Sequence, residues 1–220
     1  MSWIITPTQP IPAVIGEPFG GGYFAGYISH TADGNPTHAL IVAPRLEGAT
    51  GTGYTLTTNL AWKTANTTTA DTGSSFDGAA NTAAMVTAGI ADHPAANFCK
   101  NLSIGGFTDW YLPATAELQI AFVNLKRDGT FVNNLSAGVN NYSVPPRTTN
   151  YTATDPAQTL VSLFANGGAE QFEISGSGNH SASTENGIER YRPISMRDGA
   201  LGSPFKTTAT RVRAFRRIAL

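Results

Sequence analysis

Few side chains in this sequence have the types and spacing that catalysis or metal binding requires. His30, His38, His93 and His180 are scattered, and the 220 residues contain no His-x-x-x-His or Cys-x-x-Cys pair. Zinc sites are commonly built from such pairs, so we predict no metal and no other cofactor. Cys99 is the single cysteine, and its place on an apolar helical stripe favours the core over a role as nucleophile.

Two pairs of carboxylates have the residue types that glycoside hydrolysis uses, namely Asp71 with Asp77 and Glu170 with Glu173. In that mechanism the separation of the two carboxyl groups in space decides the reaction, and a sequence alone leaves that separation open. Acidic residues on a solvated surface are the commoner explanation. We therefore predict that the chain is not an enzyme, with a polysaccharide depolymerase as the less favoured alternative.

The composition is unusually poor in charge. Charged residues make up 13% of the chain, against roughly 25% in an average soluble domain, and Gly, Thr, Asn, Ala and Ser take their place. Extracellular and virion structural proteins often have such a composition. The start lacks the pattern of a signal peptide, and no apolar run approaches the ~18–20 residues of a membrane helix, so we expect no membrane insertion.

Positive charge is concentrated near the C-terminal end. Residues 186–220 carry eight positive and two negative side chains, whereas residues 1–185 carry six and thirteen. An asymmetry of this kind can mark an anionic partner. The more common alternative is that these arginines pair with acidic residues elsewhere in the fold.

The elements that must position these residues begin with an apolar, proline-rich arm. Four prolines in the first eighteen residues predict an extended segment rather than a helix. We assign residues 1–45, an arm followed by a β-hairpin, to attachment or oligomerisation, and residues 46–220 to a separate domain. The candidate attachment residues are Trp3, Ile4 and Ile5.

Apolar spacing and turn residues place the remaining elements. The hairpin strands are predicted at Tyr23–Ser29 and Ala39–Ala43. Helices are predicted at Ala79–Ala88, from Pro94 onward and at Thr115–Lys126. Beyond residue 130 we predict loops and short strands, at Phe131–Val132, Thr159–Phe164, Gln171–Ser175, Arg192–Met196 and Thr210–Ile218.

One segment, between the second and third predicted helices, is more specific than the rest. A glycine pair permits a tight turn, and Trp110 and Leu112 alternate inward as a short buried strand. Pro113 ends that strand. Glu117 lies in the first turn of the next helix, where a carboxylate meets free backbone N–H groups.

This segment resembles the C-terminal domain of the Lcl collagen-like adhesin, a family found in bacterial surface proteins and phage tail proteins. The family pattern is an alanine-and-cysteine helix, Gly-Gly, and then Asp-Trp-x-Leu-Pro-(Thr/Ser)-x-x-Glu-Leu. Weaker likeness extends the resemblance over about residues 60–217. The matching residues are Ala95, Ala96, Cys99, Leu102, Gly105, Gly106, Asp109, Trp110, Leu112, Pro113, Glu117 and Leu118.

The sequence departs from the family pattern at two places. Ala114 stands where the family has Thr or Ser before the third helix, so Thr115 is expected to cap that helix instead. The family's Trp in a later Ser-Ser-Thr-Glu strand is replaced around His180–Ala182, so the core packing there must differ.

The resemblance implies a C-type-lectin-like α+β fold that binds without calcium and without catalysis. We expect small antiparallel sheets, about three helices and long loops, preceded by the arm, with the 105–118 segment holding the fold rather than forming a site. The implied function is that of a bacteriophage virion structural protein, a tail or capsid fibre, with a lectin-like domain for a host-surface receptor or glycan. A purely architectural virion or decoration protein is the alternative.

The implied partners are other virion proteins, contacted through the arm, and further copies of the chain, with a trimer favoured. No nucleic acid is expected. The protein would be made in the host cytoplasm and found in the virion. Because the family prefers anionic glycans, the candidate ligand residues are Arg190, Arg192 and Lys206.

Overall fold

The computed structural model describes residues 10–220, and its strands are mostly short. In chain order they are β1 Pro18–Phe19, β2 Gly22–Ile28, β3 His38–Val42, β4 Ala49–Thr50, β5 Leu60–Ala61, β6 Asn179–His180, β7 Ile194–Ser195, β8 Ala209–Thr210, β9 Val212–Arg213 and β10 Phe215–Ala219.

The largest sheet is antiparallel and has four strands in the order β1-β2-β3-β10. The predicted hairpin is confirmed as β2 and β3, and β3 pairs with β10 along its whole length. Both faces of β3 are covered, because Leu40, Ile41 and Val42 have no exposed surface. The hairpin therefore belongs to the same sheet as the C-terminal strand.

The helices are α1 Arg45–Gly48, α2 Gly78–Gly89, α3 Pro94–Lys100 and α4 Thr115–Leu125. The three predicted helices correspond to α2, α3 and α4, and the additional α1 is a single turn. Asp77 caps α2 by accepting from the backbone N–H of Ala80 at 2.8 Å. Gly89 ends the same helix at a φ of 113°.

Three two-stranded sheets complete an α+β architecture. They pair β4 with β9, β5 with β8 and β6 with β7, so the segment from β8 to β10 runs through three sheets in succession. The strands predicted at Phe131–Val132, Thr159–Phe164 and Gln171–Ser175 are wrong. In the second of these ranges the backbone turns, with the N–H of Phe164 donating to the carbonyl of Val161 at 2.9 Å.

The buried apolar residues form two clusters on opposite faces of the main sheet, because alternate residues of β3 belong to different clusters. One cluster contains Phe122 of α4 and Phe215 of β10. The other contains Trp62, Trp110 and Cys99. Cys99 is fully buried, and burial raises the pKa of its thiol above the usual range, so its predicted place in the core is confirmed.

β3 lies before the boundary predicted at residue 45, and it pairs with β10, which lies after that boundary. Gly26 of β2 also packs closely against α4, where a Cβ would lie 2.5 Å from the amide nitrogen of Asn124. Trp3, Ile4 and Ile5 lie outside the described residues. None of the helices between residues 10 and 220 combines the length and the apolar character that crossing a membrane requires.

Candidate functional site

The glycine pair of the family-like segment forms a tight turn after α3. Gly105 and Gly106 have φ angles of 60° and 82°, a region that favours glycine. At Gly105 a Cβ would also lie 2.7 Å from the Cα of Gly21, whereas at Gly106 it would meet nothing within 4 Å. The first glycine is thus required both by its conformation and by close packing against the β1–β2 turn.

Buried contacts then hold the stretch from Trp110 to Pro113. The indole N–H of Trp110 donates to a backbone carbonyl three residues earlier at 3.1 Å. The backbone N–H of Leu112 donates to the hydroxyl of Thr82 in α2 at 3.1 Å. The carbonyl of Pro113 accepts from the N–H of Ser183 at 2.7 Å. These contacts tie the segment to α2 and to the later loops.

Glu117 closes the segment at the start of α4. Its carboxylate has no exposed surface and accepts from the hydroxyl of Tyr111 at 2.7 Å and from the backbone N–H of Ala114 at 2.6 Å. Burial raises its pKa to about 7. The expectation that Thr115 caps the helix is wrong, because Thr115 is the first helical residue and its hydroxyl donates to the carbonyl of Arg192 at 2.9 Å.

Four basic side chains of the C-terminal stretch, residues 186–220, form ion pairs with acidic residues outside that stretch. Arg213 has no exposed surface, and its guanidinium also donates to the carbonyl of Ala43 at 2.9 Å. Pairing with acidic residues elsewhere in the fold, the alternative to an anionic partner, is therefore confirmed for these four side chains. The pairs are Lys206–Glu185, Arg213–Glu170, Arg216–Asp109 and Arg217–Asp77.

The side chains of the three candidate ligand residues lie in different environments. Lys206 is buried, pairs with Glu185 and donates to two backbone carbonyls, and burial lowers the pKa of its ammonium group. Arg190 lies over the ring of Phe205, 4.2 Å from its centroid. Arg190 also lines an open depression of about 350 Å³, whereas Arg192 lines a deeper cleft between α4 and the following loops.

This cleft, which we call the Arg192 cleft, has a volume of about 400 Å³. The Arg192 guanidinium donates to the side-chain oxygen of Asn186 at 2.7 Å, and it forms no ion pair with a carboxylate among residues 10–220. Its backbone is fixed from both sides, by Thr115 of α4 and by the carbonyl of Thr184 at 3.0 Å. The polar side chains that line the cleft include Gln119, Asn140, Asn141, Tyr142 and Glu185.

The family-like segment therefore contributes to the site indirectly. It fixes where α4 begins, and the first turn of α4 anchors Arg192 through the hydroxyl of Thr115. One turn further on, α4 carries Gln119 into the cleft. The side-chain amide of Asn140 donates to the carbonyl of Ala116 at 3.0 Å, which ties the opposing loop to the same helix.

Sequence reasoning missed the uncharged residues of the Arg192 cleft. Gln119 is 5% exposed, although most of the other buried side chains of its helix are apolar. A polar amide among the apolar residues of a helix was the signal that could have indicated a site. The run from Asn140 to Tyr142 is a group of two amides and an aromatic ring in a loop. Tyr142 stacks on Phe76, with 4.3 Å between ring centroids.

Three of the four carboxylates considered for hydrolysis are held in structural contacts, and the fourth, Asp71, is exposed. Glu170 pairs with Arg213 at 2.6 Å, and Glu173 pairs with Arg127 at 3.5 Å. Asp77 caps α2. Among residues 10–220 there is no group of three or more His, Cys, Asp and Glu side chains placed to hold a metal ion.

No family model matches the chain, and no curated protein matches it at a significant level. The likeness to the Lcl C-terminal domain therefore stands on the residues named above, and membership of that family stays a prediction.

Proposed function

We propose that this chain is a bacteriophage virion structural protein, a tail or capsid fibre, whose lectin-like domain binds an anionic host-surface glycan in the Arg192 cleft. The observation that carries the proposal is the guanidinium of Arg192, which lines an open cleft and has no carboxylate partner among the described residues. A cation of this kind is available to an anionic ligand, whereas Lys206 is not.

The chemistry of the cleft supports a sugar as the ligand. Arginine presents a planar fork of donors that matches a carboxylate or a sulfate in two-point contact. The amides of Gln119 and Asn141 offer donors and acceptors of the kind that sugar hydroxyl groups need. The half-buried ring of Tyr142 adds an apolar surface for the face of a pyranose.

The segment from Gly105 to Glu117 supports the finer fold assignment, a C-type-lectin-like domain. Its tight turn, its buried tryptophan and its carboxylate at the start of α4 have the structural roles that the family resemblance implies. Long loops between α4 and β6 are also in keeping with such a domain. In this proposal Trp3, Ile4 and Ile5 attach the chain to other virion proteins, and the chain assembles as a trimer.

Binding of the full-length protein to purified bacterial surface polysaccharides tests the proposal. The library should contain matched anionic and neutral polymers, and host cells serve as a second target. Arg192→Ala removes the cation from the cleft. Arg190→Ala is the matched control. It removes an equal charge at a position two residues earlier, where the guanidinium lies over the ring of Phe205.

We expect an anionic polymer to bind, and Arg192→Ala to weaken that binding at least tenfold, since a hydrogen bond to a charged group contributes about 1.5–3 kcal/mol. Arg190→Ala should change the affinity less than about twofold. Equal losses in the two variants would indicate nonspecific attraction and contradict the site. No binding to any polymer or cell would favour the architectural alternative, and release of oligosaccharides would favour a depolymerase.

Proteomics of purified phage particles tests the proposed location separately. The chain should be present at a stoichiometry that is a multiple of three. Its absence from the particles would refute the virion assignment whatever the binding experiments show.

A further inference from the structure

A second, smaller cavity lies beside the Arg192 cleft. Its volume is about 210 Å³, and Gln119 and Asn140 line both spaces. These two residues are 5% and 6% exposed, so they form a floor between the spaces rather than a ridge. Half of the residues that line the smaller cavity are polar, and Arg147 is the charged one among them.

The backbone holds Arg147 close to the Arg192 cleft. The N–H of Arg147 donates to the carbonyl of Asn140 at 3.0 Å, and its carbonyl accepts from the N–H of Asn140 at 2.8 Å. In an antiparallel pair of this kind the two Cα atoms lie about 5.5 Å apart. The guanidinium of Arg147 lies over the ring of Tyr151, with its Cζ 4.9 Å from the ring centroid. The backbone pair therefore fixes the position of Arg147, and the ring fixes the position of its guanidinium.

The Arg147 guanidinium has donors that the described residues do not use. Of its five N–H groups, those on Nη2 donate to a carboxylate oxygen of Asp155 at 2.5 Å and to the carbonyl of Asn150 at 3.4 Å. Nε and Nη1 form no hydrogen bond with any residue from 10 to 220, and Nε is buried. Buried donors nearly always have an acceptor. Asp155 therefore satisfies the guanidinium only in part.

Asp155 is a weak competitor for an incoming anion. Its side chain is 60% exposed, and exposed ion pairs contribute little to stability. The side chain of Arg147 is 19% exposed, so a ligand can reach its guanidinium from solvent. A carboxylate or sulfate that displaces Asp155 brings several acceptor oxygens, and arginine binds such groups in two-point contact.

We propose that the smaller cavity is a second anionic subsite, in which Arg147 binds a carboxylate or sulfate of the same glycan chain that Arg192 binds in the cleft. The ligand is then an extended polyanion with charges on more than one sugar residue, and it crosses Gln119 and Asn140 between the two arginines. This inference rests on the proposed function, which supplies the first subsite. An oligomer too short to span both spaces does not sense Arg147, so the two ideas can be tested apart.

The test is calorimetric titration of the full-length chain with anionic oligosaccharides of two and of six residues. The probes are oligogalacturonates and heparin-derived oligosaccharides, with malto-oligosaccharides of the same lengths as neutral controls. Arg147→Ala removes the second cation, and Asp155→Asn removes its competitor.

Arg197→Ala and Asp198→Asn are the matched control variants. Arg197 also forms a partly exposed ion pair, with Asp198, and its Nε is likewise buried without a partner among the described residues. It lines neither the smaller cavity nor the Arg192 cleft. The two controls therefore change the overall charge in the same way without changing the proposed subsite.

We expect Arg147→Ala to weaken binding of an anionic hexamer about tenfold, from the loss of a charge-assisted hydrogen bond. The dimer should change less than about twofold, because it stays in the Arg192 cleft. Asp155→Asn should strengthen hexamer binding by about twofold to fivefold, since the guanidinium is then free. That variant keeps Arg147 and decides the question if Arg147→Ala does not fold. Both controls should stay within about twofold of the wild type.

Hexamer binding that Arg147→Ala leaves unchanged, or that Arg197→Ala weakens equally, would overturn the second subsite. Equal losses of dimer and hexamer binding in Arg147→Ala would overturn it as well. If Arg192→Ala still weakens binding of both oligomers in those cases, the proposed function stands. Hexamer binding that needs Arg147 but not Arg192 would refute the Arg192 cleft while supporting an anion site at Arg147. If no anionic oligomer binds the wild type, both proposals fail.

Discussion

Replacing Glu117 by glutamine should remove a pH-dependent loss of stability. The carboxyl group is fully buried, and burial raises its pKa to about 7 from an ordinary value of 4.5. Between these two values the folded protein keeps a proton that the unfolded chain has released. The contribution of Glu117 to stability is therefore highest below pH 4.5 and is lost as the pH rises towards 7.

The magnitude follows from the separation of the two pKa values. At about 1.4 kcal/mol for each pH unit, ionisation of Glu117 lowers the free energy of unfolding by about 3 kcal/mol across this window. Glutamine has nearly the same shape, stays neutral and can still accept from the N–H of Ala114. Relative to the wild type, Glu117→Gln should gain about 3 kcal/mol between pH 4.5 and pH 7.5.

Urea unfolding of both proteins at several pH values measures this difference. The comparison between proteins is needed because His30 and His180, whose pKa values burial lowers to about 4 and about 3, change stability in the opposite sense over part of the same range. Glu189→Gln is the control at an exposed carboxylate. A difference between Glu117→Gln and the wild type that stays constant from pH 4.5 to 7.5 would refute the buried, proton-holding role of Glu117.

Two further predictions, which use three substitutions, test the packing around the site. Tyr151→Phe removes a buried hydroxyl that has no hydrogen-bond partner among the described residues, and it should raise the free energy of unfolding by about 1 kcal/mol in urea titrations; a lower value would contradict this. Gly105→Ala should destabilise more than Gly106→Ala by at least about 1 kcal/mol. Both positions have positive φ angles, but a Cβ clashes with Gly21 at the first alone, so equal losses would contradict the close packing.

The elements that could be predicted from the sequence are those that short-range patterns determine. The hairpin strands and the helices α2, α3 and α4 follow from apolar spacing, Pro94 and Gly89. The pairing of β3 with β10 joins residues as far apart in sequence as Val42 and Phe215, and no local pattern encodes it. Apolar residues favour a strand over 159–164, but the backbone turns there, and Phe164 is buried while Leu160 and Leu163 are exposed.

The site was predictable only in part for a similar reason. Charge asymmetry and the family resemblance singled out Arg192, yet they singled out Lys206 equally. Only long-range contacts distinguish the two residues. Lys206 is held by Glu185 and two backbone carbonyls, whereas Arg192 lines the cleft. Gln119 shows the same limit, since helix periodicity places it beside the core without telling which space it faces.

The most direct test of the proposed site is to map where an anionic surface polysaccharide fragment contacts the labelled full-length chain. The largest shifts in backbone amide signals should fall on Asn141, Asn186 and Arg192, and they should disappear in Arg192→Ala while persisting in Arg190→Ala. Shifts confined to other surfaces, or unchanged in Arg192→Ala, would contradict the Arg192 cleft as the binding site.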